Sequence, residues 1–435
     1  MADTWAALPP GLQDLLIALA LLVPGLLAGA LVLRGLAPWG LAGALLRRFG
    51  WVNLLFVLLI AVSVGLGVGL VAQERGLRQG SARAAEKFDL IVAAPGSEVT
   101  AMLAAVYLQP SDMPLLTGAQ YAEITGAEGV DFAAPIAFGD SFGAAPVVGT
   151  TTAFVSHLAG PLADGRLFAS ESEAVAGAFV PLQIGETFTP AHGHGPAAET
   201  DAHVGSGYTV TGRMAPTGSP WDRAILVPVE GIWAVHGLAN GHAPESAQIG
   251  PPFDPAYMPG TPAVLVRATE LWGNYALKSR FTRPDMMAFF PGTVLAQLHG
   301  LMRELRTAMS VLAVLTQVLV TLSVLIGLMI LVRLIARSLA VLRAIGAPVR
   351  FVFAVVWSFS AALILTGAVL GLGLGWAAAR LLSAFVTART DVLVTASLGW
   401  AELHLVAGFV SLTLVLALLP AWAAIRRPLL SDLRT

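Results

Sequence analysis

Cysteine is absent, lysine occurs only at Lys87 and Lys278, and charged residues make up only 12% of the chain. The first absence excludes disulfides, thiolate metal sites and a Cys nucleophile. With so few lysines there is no G-x-x-x-x-G-K-[ST] phosphate loop, so this chain does not hydrolyse ATP by that route. An average soluble domain carries about 25% charged residues, so the charge present is too sparse to solvate a globular surface of 435 residues. Twenty-five basic residues stand against 27 acidic ones, a net charge of −2, which excludes a nucleic-acid footprint.

What fills the chain instead is apolar: 56% hydrophobic residues, with a mean hydropathy of +0.76. Crossing a hydrocarbon core about 30 Å thick takes roughly 20 such residues in a helix. Five stretches qualify: Leu12 to Leu33, Trp51 to Ala72, Val311 to Val332, Phe351 to Ala379 and Leu403 to Ala424. The first is broken by Pro24-Gly25, has Asp14 at its edge, and is followed rather than preceded by basic residues, unlike a secretory signal. Arg34, Arg47 and Arg48, then Arg333, Arg337, Arg343 and Arg350, then Arg426, Arg427 and Arg434 fall on one side of such a bundle. The positive-inside rule makes that side cytoplasmic and exports the insert between the second and third spans. No ionisable residue lies deep in a span, which argues against an ion-coupled carrier or channel.

The insert holds 20 of the 27 Pro and seven of the eight His. β-type runs recur in it at Asp89-Leu-Ile-Val-Ala, Tyr208-Thr-Val-Thr, Ala224-Ile-Leu-Val-Pro-Val and Ala263-Val-Leu-Val-Arg, and helical pieces are predicted over Ser97 to Tyr107 and Thr117 to Ile124. An α+β domain is expected. At its C-terminal edge Leu295, Leu298, Met302, Leu305 and Met309 repeat with alternating spacings of three and four, the seam of a helix packed lengthwise on another. The extension of the second span, Gln73 to Lys87, is the expected partner in a stalk; an amphipathic helix packed on its own domain gives the same pattern. In the fourth span Gly367, Gly371 and Gly375 share one face, which permits close approach of a neighbouring helix.

One long span, a large exported domain and three further spans resemble the layout of the MacB-type, FtsX-like permeases of ABC transporters. Two local matches carry the resemblance. Arg337-Ser-Leu-Ala-Val-Leu-Arg-Ala-Ile-Gly-Ala347 resembles the family's cytoplasmic coupling segment, with Ser338 where many members carry Glu, and Phe88-Asp-Leu-Ile-Val-Ala-Ala-Pro-Gly-Ser97 resembles its first periplasmic strand and turn. The expected fold is an α-helical membrane protein, a four-span MacB-type core plus an extra N-terminal span, with a large α+β extracytoplasmic domain on a helical stalk. Its parts are 1–50, the extra span and a basic linker; 51–72, a span; 73–306, the periplasmic domain with stalk helices; and 307–435, three spans with a coupling loop at 333–350. The resemblance implies a mechanotransmission permease in the bacterial inner membrane, working as a homodimer in membrane lipid. It also implies that ATP is bound by a separate ABC ATPase subunit, with Arg337, Leu342, Arg343, Ala344, Gly346 and Ala347 as the expected contact. The clients it implies are lipoproteins, peptides or small molecules, met with or without a periplasmic adaptor. An FtsX-like regulator of a periplasmic hydrolase is the variant reading.

Histidines concentrate in Thr189-Pro-Ala-His192-Gly-His194 and continue through Glu199, Asp201 and His203, with His236 and His242 beyond. In an extended chain His192 and His194 share a face, as do Asp201 and His203. Imidazole with carboxylate suits Zn²⁺, and also Cu²⁺ or Ni²⁺, so His192, His194, His203 and His236 are the candidate ligands. The alternative is a solvated loop. Gly185 to His192 and Val210 to Ile225 resemble a subgroup of these permeases with a histidine-containing periplasmic loop. H-E-x-x-H is absent, which excludes that protease signature. Two other classes compete with the permease: a metal-binding or sensor protein with a membrane relay, and an exported metalloenzyme using Glu199 or Asp201 as its base.

Overall fold

The computed structural model describes residues 5, 7–109, 111–193, 207–246, 248–390 and 393–426; the side chains of 301–306, 308–310, 312, 313, 316 and 390 are not among those described. The chain forms two compact units, one of residues 1–77, 304–384 and 395–435 and the other of 78–303 and 385–394.

In the first unit lie α1 (Pro10–Leu33), α2 (Trp39–Arg48) and the start of α3 (Gly50–Ala85). Most of α9 (Pro291–Leu334) follows, then α10 (Ala336–Ala344), α11 (Val349–Thr390), α12 (Trp400–Leu416) and α13 (Leu418–Ile425). Among the described residues five segments are long and apolar enough to cross a membrane: Pro10–Leu33, Gly50–Ala85, Gln317–Leu334, Val349–Arg389 and Trp400–Ile425. Val57, Ile60 and Val64 of α3 pack with Val324 and Leu328 of α9, Val355 and Phe359 of α11 and Phe409 of α12. Leu26, Leu31, Leu66, Val369 and Leu381 stay open on the outside, an apolar surface that fits hydrocarbon and not water.

The extra helix α1 belongs to this bundle. Pro24 removes one backbone donor and loosens the turn, and the Gly25 amide donates to Ser411 Oγ of α12 at 2.9 Å. A Cβ at Gly29 would stand 2.9 Å from Trp357 of α11. At another end of the unit Arg75 of α3 bonds the fully buried Glu402 of α12 at 2.6 Å.

Among the described residues the second unit is built on a mixed sheet of eleven strands, and helices cover both its faces. The strands are β1 (Leu90–Ala93), β2 (Val130–Phe142), β3 (Ala145–Thr150), β4 (Asp164–Gly165), β5 (Glu173–Ala176) and β6 (Thr187–Phe188). β7 (Ala191–His192), β8 (Tyr208–Arg213), β9 (Ile225–Pro228), β10 (Ala263–Ala268) and β11 (Met287–Phe289) complete it. Their order is β11-β1-β10-β2-β3-β9-β5-β8-β4, with β6 against β8 and β7 against β2. Pairings are antiparallel except β3 with β9 and β5 with β8.

The side-chain period of two sorts each strand between two cores. Leu90, Val92, Val264 and Val266 face α5 (Gly118–Thr125), α7 (Val229–Val235) and α8 (Gly273–Phe281). Ile91, Ala93, Leu265 and Val148 face α4 (Glu98–Ala105), α6 (Thr152–Ala159), Ala84 and Ala85 at the end of α3, and Leu295 at the start of α9. Strands buried on both faces read as continuous apolar runs, which is why Asp89-Leu-Ile-Val-Ala is visible in the sequence. Ser97 caps α4 through the Thr100 amide, and Thr117 with Gln120 forms a capping box on α5. The long strand β2 has no such signature, because Pro135 and Gly139 interrupt it. At Pro135 it has β10 as neighbour, opposite Val264, and it meets β3 only from Ala137 onward. A proline without an amide donor is tolerated there.

Candidate functional site

Gly139 in β2 has φ of +140°, a conformation open to glycine. It lies inside a shift of register between Ala137 and Asp140, and such a bulge re-aims the side chain that follows it. The side chain re-aimed is Asp140, which is fully buried. The short strand β7 pairs with this stretch, setting His192 directly across from Asp140, and the Gly193 amide donates to the Gly139 carbonyl at 2.9 Å. His192 Nδ1 stands 3.2 Å from Asp140 Oδ1.

His236 reaches the same oxygen from the C-terminal end of α7, with Nε2 3.6 Å from Asp140 Oδ1. Its Nδ1 stands 2.8 Å from the Ile232 carbonyl. A carbonyl only accepts, so Nδ1 carries the hydrogen and in the neutral ring Nε2 holds the lone pair. The ligand atoms of Asp140, His192 and His236 all lie within 4.8 Å of one another. Asp140 adds its charge to burial in raising the pKa of the Tyr208 phenol, after burial itself as the larger cause. His236 also lines a cleft of about 240 Å³ with Asp112, Met113, Phe138 and Trp233.

Of the four predicted ligands, the structure brings His192 and His236 together; His194 and His203 lie outside the described residues, as do Glu199 and Asp201. Asp140 is the member that sequence reasoning missed. Its signal is weak: an Asp after a Gly in a Pro-interrupted strand, far along the chain from both histidines. His242 belongs to a different group, buried beside Phe253 with Nε2 3.6 Å from Glu230 Oε1. Burial raises the Glu230 pKa, opposed by the Gly250 amide and His242.

In the membrane unit the coupling segment is the helix α10, ending in a Schellman motif. The Ala347 amide bonds the Leu342 carbonyl at 3.0 Å, the Gly346 amide bonds Arg343 at 3.1 Å, and Gly346 has φ of +99°. Leu339 and Ala340 bury against the bundle, and Leu342 packs there half-buried. Arg343 and Ala347 are half-buried, whereas Arg337, Ala344 and Gly346 are exposed. Two residues outside the coupling set join the open face: Val341, and Ile345 with 77% of its surface exposed. Arg337, Val341, Ala344 and Ile345 follow helical spacing, so they form one stripe.

Gly367, Gly371 and Gly375 of α11 face α3. A Cβ at each would lie 2.6 Å from Ile60 Cβ, 2.7 Å from the Ala61 carbonyl and 2.6 Å from the Gly65 carbonyl, respectively. Of the predicted stalk residues, Leu295 is buried and Leu298 half-buried in the core that holds Ala84 and Ala85. Ser81 Oγ lies 3.5 Å from His299 Nε2. Met302, Leu305 and Met309 belong to α9, but their side chains are outside those described.

Residues 310–429 match the family of the FtsX-like permease C-terminal domain. This part of the chain resembles an FtsX-like permease domain. The match contains the coupling helix, the glycine face and the last three apolar spans, and with five such spans the chain is a multi-pass membrane protein. Among solved structures, the extracellular domain of the noncanonic ABC-type transporter YknZ from Gram-positive bacteria is similar at 12% identity and a TM-score of 0.28, over 46% of this chain and 98% of that one. No curated protein matches.

Proposed function

We propose that the chain is the membrane subunit of an ABC transporter of the mechanotransmission type, in which a separate ATPase docks on α10 and drives movement of the sheet domain. The observation that carries this reading is the exposed stripe Arg337, Val341, Ala344 and Ile345, held out by a glycine-stopped helix inside an FtsX-like domain. An isolated cytoplasmic loop gains nothing from displaying Ile345. A partner surface that covers it does. The lack of a phosphate-loop pattern in these residues supports assigning nucleotide hydrolysis to that partner.

The chain enters the sheet unit through α3 and leaves it through α9. The glycine face of α11 packs α3 closely, so a displacement of α10 reaches α3 through helices in backbone contact. By the positive-inside argument the sheet domain lies outside the cytoplasm of a bacterial inner membrane, where it acts on a lipoprotein, peptide or small molecule. A two-fold copy of the chain completes the transporter, as symmetric assemblies dominate.

Purification in mild detergent tests the reading. It expects a nucleotide-binding subunit to accompany the chain, and Ile345→Asp with Val341→Asp to release it. Full retention of the ATPase by the double variant contradicts the reading, as does an active chain without a nucleotide-binding partner.

A further inference from the structure

We infer that Asp140, His192 and His236 form a Zn²⁺ site in the sheet domain, with the carboxylate as its base and the two imidazoles as its walls. This goes beyond the permease reading and is independent of it.

The hydrogen on His236 Nδ1 points at the Ile232 carbonyl, so the neutral ring turns a lone pair from Nε2 toward Asp140 Oδ1 at 3.6 Å. Two acceptors facing each other at that distance are held together by a cation between them, either a proton or a metal. A shared proton would hold one imidazole and a second could donate its own N–H to the carboxylate, whereas one metal ion takes all three donors at a single point. Here a second, His192, converges on the same oxygen at 3.2 Å, and the two rings lie 4.9 Å apart, tilted by 57°.

The spacing fits a metal. With Zn–N and Zn–O bonds of about 2.0–2.2 Å, the donor atoms around a tetrahedral Zn²⁺ sit roughly 3.3–3.5 Å apart. The two measured edges bracket this value, and the third ligand pair lies within 4.8 Å.

The surroundings fit as well. A backbone carbonyl that fixes the far nitrogen of a ligating histidine is the usual outer partner of such a site, selecting the tautomer and orienting the ring. Asp140 is fully buried, while the His192 and His236 side chains are 41% and 26% exposed, so a cation has access from one side and meets its anionic ligand at the bottom. Two imidazoles and one carboxylate select a borderline transition ion over Mg²⁺ or Ca²⁺. Among the described residues no fourth His, Cys, Asp or Glu joins the three. The ion would join the β2 bulge, β7 and the end of α7 at one point.

The experiment uses the full chain in detergent, stripped with a chelator and titrated with Zn²⁺ against a chromophoric competitor. The expected result is one Zn²⁺ per chain that a large excess of Mg²⁺ does not displace, with at least a tenfold loss of affinity in His236→Ala and in His192→Ala, since losing only an outer partner of a ligand already costs about 10–100-fold. Asp140→Asn is expected to lose affinity too. Because Asp140 is buried, wild-type protein loaded with Co²⁺ supplies a reading that needs no variant. The visible bands of a four-coordinate ion are expected, and they should vanish on adding Zn²⁺. Six-coordinate Co²⁺ bands would overturn the assignment. So would Zn²⁺ affinity unchanged in the His192→Ala, His236→Ala double variant, including the case where binding disappears only with His194→Ala and His203→Ala.

Discussion

Gly375 and Gly373 lie two residues apart on α11 and should respond to alanine with opposite signs. A Cβ at Gly375 would stand 2.6 Å from the Gly65 carbonyl and 2.8 Å from Val68 Cβ, whereas one at Gly373 has nothing within 4 Å. The nearest obstacle to Gly375→Ala is backbone, which has no rotamer to move aside, so α3 and α11 must separate. Overpacking of this kind costs about 1–3 kcal/mol. Gly373→Ala meets open space and removes a helix-interior glycine, a change worth about 0.5–1 kcal/mol in favour of the helix. Thermal unfolding in one detergent, followed by tryptophan fluorescence, should give a midpoint below wild type for Gly375→Ala and at or above it for Gly373→Ala. Equal midpoints for the two variants would refute the close-approach argument. The double variant Gly371→Ala, Gly375→Ala should fall further, because a Cβ at Gly371 meets the Ala61 carbonyl at 2.7 Å on the same face.

Three further outcomes follow from the packing. Arg75→Ala leaves the buried Glu402 carboxylate without its 2.6 Å partner, at a cost of about 3–5 kcal/mol; Arg75→Gln with Glu402→Gln should cost less than Arg75→Ala alone, and the detergent unfolding midpoint checks the order. Burial raises the Glu230 pKa, so the folded chain holds this proton at a pH where the unfolded chain has released it. Stability from this group is therefore present below the ordinary carboxylate range and falls as pH rises through the raised value. Glu230→Gln should remove that slope from the pH profile of unfolding, and an unchanged slope would sink the assignment. Gly29→Leu should detach α1 from α11, since a Cβ alone already meets Trp357 at 2.9 Å; protease digestion of the N-terminal segment, faster than in wild type, reads it.

The membrane half was legible because a bilayer imposes a single long period on composition: α3 and α11 announce themselves by length alone. The strands β1, β9 and β10 were legible for the related reason that burial on both faces leaves apolar runs between Gly and Pro, and β8 by its alternation of buried and half-buried residues. β2 was not, since Pro135 and Gly139 look like loop punctuation until β10 and β3 are seen to flank different halves of the strand. The same glycine hid Asp140. His192 and His236 stood out as histidines, but an aspartate is ordinary in any loop, and only the strand pairing sets it opposite His192. In the coupling helix Gly346 was visible as a motif residue, and the Schellman stop gives its physical reason. Val341 and Ile345 were not singled out because apolar residues in a membrane protein attract no attention. Their exposure, with Leu339 and Ala340 buried on the other side, is a property of how α10 lies on the bundle.

Because the chain has no cysteine, docking on α10 is directly measurable with a single introduced thiol. In Ile345→Cys the introduced thiol is the only one in the chain, and it lies at the C-cap of α10, where Ile345 is 77% exposed. Its rate of modification by a polar maleimide is compared with and without the co-purified ATPase, with Leu271→Cys, 87% exposed in the sheet unit, as the reference. The account predicts protection of Ile345→Cys by the ATPase and an unchanged rate at Leu271→Cys. Equal rates at Ile345→Cys with and without the ATPase would contradict docking on α10, and with it the transporter mechanism built on that contact.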